Sequence, residues 1–251
     1  MLASLCAVWQ PANVMPLLEN VRTPLSSDQA VATAMQLGKR LRKKAVLAGE
    51  CFGFIGNRML EPYLHEAMFV VEEGATPQAV DAALTSFGMA MGPYAMSDLA
   101  GNDIGYNIRK EHPPKPERRY YAHIADELVE MGRLGQKTKA GWFDYAAGRK
   151  PVVDPIVEGM VAARQQAYAA GGGVGSGTTF TPEELLDRLL LPMVNEGFKI
   201  LQEGVAQREV YAHATRLSNL SDHYGYGGAL CSDVYSVRVS CLVCGAGGSR
   251  T

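Results

Sequence analysis

Residues 57–75 read NRMLEPYLHEAMFVVEEGA, and residues 187–205 read DRLLLPMVNEGFKILQEGV. At an offset of 130 they share Arg58 with Arg188, Leu60 with Leu190, Pro62 with Pro192, Glu66 with Glu196, Glu73 with Glu203 and Gly74 with Gly204. Six identities in nineteen positions, with an interior proline and a closing glycine both in phase, exceed what amphipathic composition alone gives. The stretch is one helical unit present twice. Because an isolated amphipathic helix pair leaves its apolar face open, the two copies are expected to pack on each other as an internal pseudo-dimer.

Around these copies the chain reads as a series of short elements. Ser27 and Asp28 precede the apolar positions Val31, Ala34, Met35 and Leu41, an amphipathic helix with an N-cap. It ends in Lys39, Arg40, Arg42, Lys43 and Lys44, a run that reads as a solvated helix C-terminus favoured by the dipole rather than as a phosphate site. Residues 45–48 form an apolar run closed by Gly49 and read as a strand, and residues 54–73 read as a long helix stopped by Gly74. Thr76 caps a helix that has Pro77 at its first position, where the missing amide hydrogen costs nothing. Residues 93–110 read as helical with a break at Gly101, and the three prolines of residues 111–117 mark a loop. The glycines of residues 171–177 do not match G-x-G-x-x-G and read as a flexible linker. Thr181-Pro182-Glu183-Glu184 then opens the next helix as a capping box.

Composition excludes several classes of function. The 251 residues hold 47% hydrophobic side chains, too many for a disordered chain, and 24 Lys and Arg against 26 Asp and Glu give a net charge of -2. No bulk positive field exists to hold nucleic acid or anionic lipid, so neither a nucleic-acid nor a membrane partner is expected. The longest apolar runs fall far short of the roughly 20 residues that a bilayer span needs. The apolar start lacks a basic region and a cleavage site, so no secretory signal is expected. Five scattered cysteines fit a reduced, intracellular protein without a disulfide scaffold. Cys241 and Cys244, with Cys231 and His223 nearby, lack zinc-ribbon spacing, and no metal site is expected.

Four further stretches carry a specific resemblance. They are Gly49-Glu50-Cys51-Phe52-Gly53-Phe54-Ile55-Gly56-Asn57-Arg58-Met59-Leu60, Glu72-Glu73-Gly74-Ala75-Thr76, Gly92-Pro93-Tyr94-Ala95-Met96-Ser97-Asp98-Leu99-Ala100-Gly101, and Gly135-Gln136-Lys137-Thr138-Lys139-Ala140-Gly141-Trp142-Phe143-Asp144-Tyr145. Together they resemble the 3-hydroxyacyl-CoA dehydrogenase family, and the helical repeat resembles the C-terminal part of the peroxisomal multifunctional enzymes of fatty-acid β-oxidation.

The resemblance implies oxidation of a 3-hydroxyacyl-CoA to the 3-oxoacyl-CoA with NAD as cofactor. It also implies a histidine base, a glutamate that orients it, and an asparagine in the substrate site. A histidine suits the task because it titrates near working pH. The glutamate matches Glu19 and the asparagine Asn57, and these are the two expected catalytic residues. The expected base falls on Ala7, because Ala7-Val8-Trp9-Gln10-Pro11 stands where the family has His-Phe-Phe-Ser/Asn-Pro. His65 lies eight residues beyond Asn57, about 12 Å along a helix at about 1.5 Å per residue, and cannot replace it. His112 and His123 read as structural or solvated.

The fold expected on this basis is mainly α: two tandem 6-phosphogluconate-dehydrogenase-C-terminal-like helical repeats, with the Rossmann domain absent and no cofactor-binding residue on the chain. The expected divisions are residues 1–48, a remnant of the Rossmann end with a connecting helix; 49–149, the first helical domain; 150–180, a linker; 181–235, a partial second repeat; and 236–251, a tail. The chain alone is expected to be inactive, to bind acyl-CoA, to self-associate or pair with a Rossmann-containing subunit, and to reside in peroxisome or cytoplasm. The alternative is a non-catalytic helical module that binds a partner or acyl-CoA.

Overall fold

The computed structural model describes residues 5–8, 12–113 and 119–206. The chain divides into two compact units, Met1–Leu60 with Val194–Thr251, and Glu61–Met193. The CxxC segment and the Gly-Tyr-Gly-Gly run of residues 225–228 lie outside the described residues.

In the first unit, β1 (Leu5–Val8), β2 (Leu17–Arg22) and β3 (Lys44–Gly49) form a sheet in that order, with α1 (Asp28–Arg40) between β2 and β3. β1 runs antiparallel to β2, and β3 runs parallel to β2. A parallel pair needs a crossover, and α1 supplies it. Ser27 caps α1 as its sequence implies, its hydroxyl accepting from the Ala30 amide at 3.2 Å. Gly38 lets α1 close onto β3, because a Cβ there would meet the Cβ of Ala45 at 2.5 Å. The start of α2 (Gly56–Glu73) and the end of α8 (Pro182–Gln202) complete the unit.

This β-rich region corrects the expectation of a mainly α chain. β2, Leu-Leu-Glu-Asn-Val-Arg, is buried over its first five residues, including Glu19 and Asn20, so it lacks the polar-out alternation that marks a half-exposed strand.

The second unit holds the rest of α2 and α8 together with α3 (Pro77–Phe87), α4 (Pro93–Ala100), α5 (Asn102–Glu111), α6 (His123–Glu130) and α7 (Pro155–Ala170). α7 lies inside the stretch expected as a linker, and Asp154 caps it through the Ile156 amide at 2.9 Å. Gly101, at φ +107°, separates α4 from α5 where the sequence placed a break. Tyr63, Leu84, Tyr94, Leu128, Trp142 and Leu189 form the centre of the core.

Two buried carboxylates tie this unit together. Asp81 accepts from the amides of Tyr94 at 3.1 Å and Ala95 at 2.9 Å, capping α4 from α3. Asp98 accepts from the amides of Trp142 at 2.9 Å and Phe143 at 3.0 Å and from Asn102 Nδ2 at 2.9 Å. Loop 135–143 wraps so closely around Asp98 that a Cβ on Gly141 would lie 1.9 Å from its Oδ1. Burial first of all raises the pKa of both groups, Asp81 to about 6.

The repeated helices carry reciprocal ion pairs. In the first unit Arg58 binds Glu196 at 2.9 Å and Glu203 at 2.7 and 2.9 Å. In the second unit Arg188 binds Glu66 at 3.0 Å and Glu73 at 2.9 Å. Adding 130 to each member of one set gives the other or returns to it, the self-complementary exchange that marks an isologous contact. The helix ends repeat as well: Ala75 donates to Val70 O at 2.9 Å and Val205 to Ile200 O at 3.0 Å. Thr181 and Glu184 exchange the two hydrogen bonds of a capping box at the start of α8.

Candidate functional site

The site expected from the sequence is assembled in the first unit where β2 meets the start of α2. Successive strand residues face opposite sides of a sheet. Asn20, fully buried, faces α1, donating to Met35 Sδ at 3.1 Å and accepting from Cys6 Sγ at 3.0 Å. Glu19 therefore faces away from α1, and there its Oε1 accepts from the amides of Ile55 at 3.1 Å and Gly56 at 3.0 Å. With 1% of its surface exposed, Glu19 is no ordinary surface carboxylate. A carboxylate on the leading amides of a helix satisfies donors that lack intrahelical partners and meets the positive end of the dipole.

The turn into α2 needs its glycine. Gly53 sits at φ +72°, and a Cβ on it would approach the Arg58 amide to 2.7 Å. Cys51 Sγ donates to Phe54 O at 3.2 Å across the same turn. α2 begins at Gly56, so Asn57 is in the first turn rather than at the cap, and it is exposed. Glu19 and Asn57 are thus brought together around one helix start.

The position expected for the base completes this geometry. Ala7 is the direct cross-strand partner of Glu19 in the β1–β2 pair. Residues so paired project to the same face with Cβ atoms about 4.5–5.5 Å apart. A histidine at position 7 would reach the Glu19 carboxylate, whereas the alanine present has no group that accepts a proton. His65, in the second unit, stacks on Tyr121 with centroids 3.7 Å apart. His123 packs edge-on to Tyr120 at 4.9 Å, and burial lowers its pKa. Among the described residues no group of three or more His, Cys, Asp or Glu is placed to hold a metal.

Sequence reasoning singled out Glu19 and Asn57 but not Asn20, Asp81 or Asp98 as organising groups. The adjacency of Glu19 and Asn20 in one strand was the available signal, since two neighbouring polar residues inside an apolar run must face opposite sides and each needs a partner.

A sheet segment with a crossover helix, followed by a helical domain entered through a glycine turn, is the build of a two-domain dehydrogenase. Residues 7–51 match the family described as 3-hydroxyacyl-CoA dehydrogenase, NAD binding domain, and residues 53–145 match 3-hydroxyacyl-CoA dehydrogenase, C-terminal domain. The two matches cover more than half of the chain, which belongs to the 3-hydroxyacyl-CoA dehydrogenase family. The chain is 44% identical to the peroxisomal bifunctional enzyme of Danio rerio over 214 residues, covering 79% of this chain and 29% of that protein. For the human peroxisomal bifunctional enzyme the identity is 39% over 233 residues, covering 87% and 31%. The dehydrogenase part of multifunctional enzyme 1 from C. elegans superposes with a TM-score of 0.66 at 27% identity, covering 87% of this chain and 48% of that one. The chain thus spans about three tenths of the length of these curated relatives.

The match at residues 7–51 overturns the expectation that the Rossmann domain is absent. The sequence contains no G-x-G-x-x-G, but that fingerprint marks only the first βα turn of such a domain, and the match lies on later strands. NAD is the family's cofactor. Its pyrophosphate needs a glycine-rich turn at a helix N-terminus, and residues 23–27 between β2 and α1 contain no glycine. The Ser27 hydroxyl already occupies the Ala30 amide there. The β2–α1 turn does not fit the pyrophosphate of NAD.

Proposed function

We propose that the chain is the C-terminal part of an NAD-dependent 3-hydroxyacyl-CoA dehydrogenase of peroxisomal fatty-acid β-oxidation, and that by itself it does not turn over. The supporting observation is the register that sets Ala7 opposite Glu19. Conversion of a 3-hydroxyl to a ketone requires a group that takes the hydroxyl proton. Alanine has none, and the buried Glu19 is engaged with the amides of Ile55 and Gly56. In this reading Glu19 holds the start of α2, and Asn57 offers its exposed amide to the acyl-CoA substrate. Peroxisomal residence is supported by the names of the relatives. The exposed Leu99, Ile104, Ile108 and Met131 of the second unit support self-association or pairing with a Rossmann-containing subunit.

The purified chain, given NADH and acetoacetyl-CoA, is expected to show no loss of NADH absorbance. Robust turnover would overturn the assignment of position 7. Calorimetric titration with acetoacetyl-CoA separates the two readings. Heat of binding that is lost in Asn57→Ala supports a substrate-binding part of the enzyme, and absence of binding supports a non-catalytic module that binds a partner instead.

A further inference from the structure

The net charge of -2 conceals an uneven distribution. At one end of the first unit the C-terminus of α1 and the starts of β2 and β3 come together, because Lys44 N donates to Pro16 O at 2.8 Å and Leu17 pairs with Lys44. Lys43 Nζ donates to the carbonyls of Ala12 and, at 2.7 Å, Met15, which holds turn 12–15 against this end. Lys39, Arg40, Arg42 and Lys44 are exposed here. Among the described residues Lys39, Arg40 and Arg42 form no ion pair. Exposed apolar side chains occur on the same segments: Leu37 at 49% and Leu41 at 57% on either side of Lys39 and Arg40 in the sequence and, from the clamped turn, Val14 at 44%.

Among the described residues of the first unit, no carboxylate neutralises this end. The sequence has no acidic residue before Glu19 and none between Asp28 and Glu50. Glu19 is buried on its amides, and Glu196 and Glu203 are bound by Arg58. Asp28 is paired with Arg22 at the opposite end of α1, about 20 Å away at 1.5 Å per residue. Glu50 follows the far end of β3.

We propose that this end of the first unit seats the protein on an anionic lipid bilayer. Cations interleaved with leucines suit a bilayer better than a dissolved anion. Headgroup phosphates meet the charges while Leu37, Leu41 and Val14 enter the boundary with the acyl chains, a step a soluble phosphate does not offer. Each Lys or Arg near such a surface contributes about fivefold in affinity, so the three unpaired cations contribute on the order of a hundredfold, and salt screens the effect. The contact is peripheral, since no helix among the described residues is long and apolar enough to cross a membrane.

The test is co-sedimentation of the full chain with vesicles of phosphatidylcholine alone or with added phosphatidylserine. Binding is expected only with the anionic lipid, falling as salt rises. The triple variant Lys39→Gln, Arg40→Gln, Arg42→Gln should bind on the order of a hundredfold more weakly, with unchanged circular dichroism. Leu37→Ser with Leu41→Ser should weaken binding severalfold at constant charge. Equal binding to neutral vesicles, no binding to either, or an unaffected triple variant would overturn the proposal. So would full competition by millimolar inorganic phosphate at matched ionic strength, which would assign the cations to a soluble anion.

Discussion

Replacing Asp98 by alanine tests whether the second unit is held by a buried carboxylate. The side chain is 1% exposed and accepts three hydrogen bonds, two of them from backbone amides in loop 135–143. Asn102 Nδ2 keeps a second acceptor, Arg133 O at 3.3 Å, but the amides of Trp142 and Phe143 are left without one. An orphaned buried donor costs about 1–3 kcal/mol, so two cost about 2–6 kcal/mol. Part of this is offset, because burial raises the Asp98 pKa, so the carboxylate itself is held at some cost. The expected loss is about 2–4 kcal/mol in urea unfolding followed by tryptophan fluorescence, with Trp142 reporting from within the loop. Asp103→Asn is the control: its ion pair with Lys137 is substantially exposed and should change stability by less than about 1 kcal/mol. A loss for Asp98→Ala below about 1 kcal/mol, or no larger than that of the control, would show that the loop is held by something else.

Other outcomes follow from the same structure. Burial holds Asp81 at about 6, above its unfolded value, so the folded state takes up a proton between about pH 7 and 5 that the unfolded chain binds only near pH 4. Acidification over that window should therefore add on the order of 1 kcal/mol in chemical denaturation, and Asp81→Asn should remove the gain. Ala7→His should place an imidazole opposite Glu19 and raise its pKa about 1–2 units above the usual 6.5 in an NMR titration; a value at or below 6.5 would contradict the register. Arg58→Met and Arg188→Met should lower the Tm by similar amounts, because Glu196 retains Lys199 at 2.9 Å and Glu73 retains Arg119 at 3.0 Å, so each change strands one partly exposed carboxylate, Glu203 or Glu66. A loss several times larger for one variant in a thermal melt would argue against that symmetry.

Much of the helical part was legible because its punctuation is local. Ser27, Thr76 and Thr181 each cap the helix their spacing marks, and Gly101 breaks the chain where expected. The sheet was harder to read, since β2 is buried on both faces and carries Glu19 and Asn20 in its middle, so neither alternation nor apolarity identified it. α7 was missed because a cap, Asp154 with Pro155, begins a helix whose small residues leave only a weak apolar stripe. At the candidate site, Glu19 and Asn57 came from the resemblance, while their juxtaposition depends on a turn with Gly53 at positive φ. The roles of Asp81 and Asp98 depend on backbone amides 13 to 45 residues away, and no local pattern carries such distances.

The reciprocal pairs of Arg58 and Arg188 bear on how the two copies of the helix can change. Each copy supplies an arginine whose carboxylates belong to the other, so a charge reversal in one copy strands groups in both sets of partners. Compensation needs a coordinated change at positions 130 residues apart, or the duplication of one altered helix over the other. Six of nineteen positions agree between the copies, and Arg58, Glu66 and Glu73 with their counterparts are among them, each bound to a group of the other copy. A duplicated segment of this kind inherits its partner along with its sequence, and neither half can be replaced alone without rewriting the other.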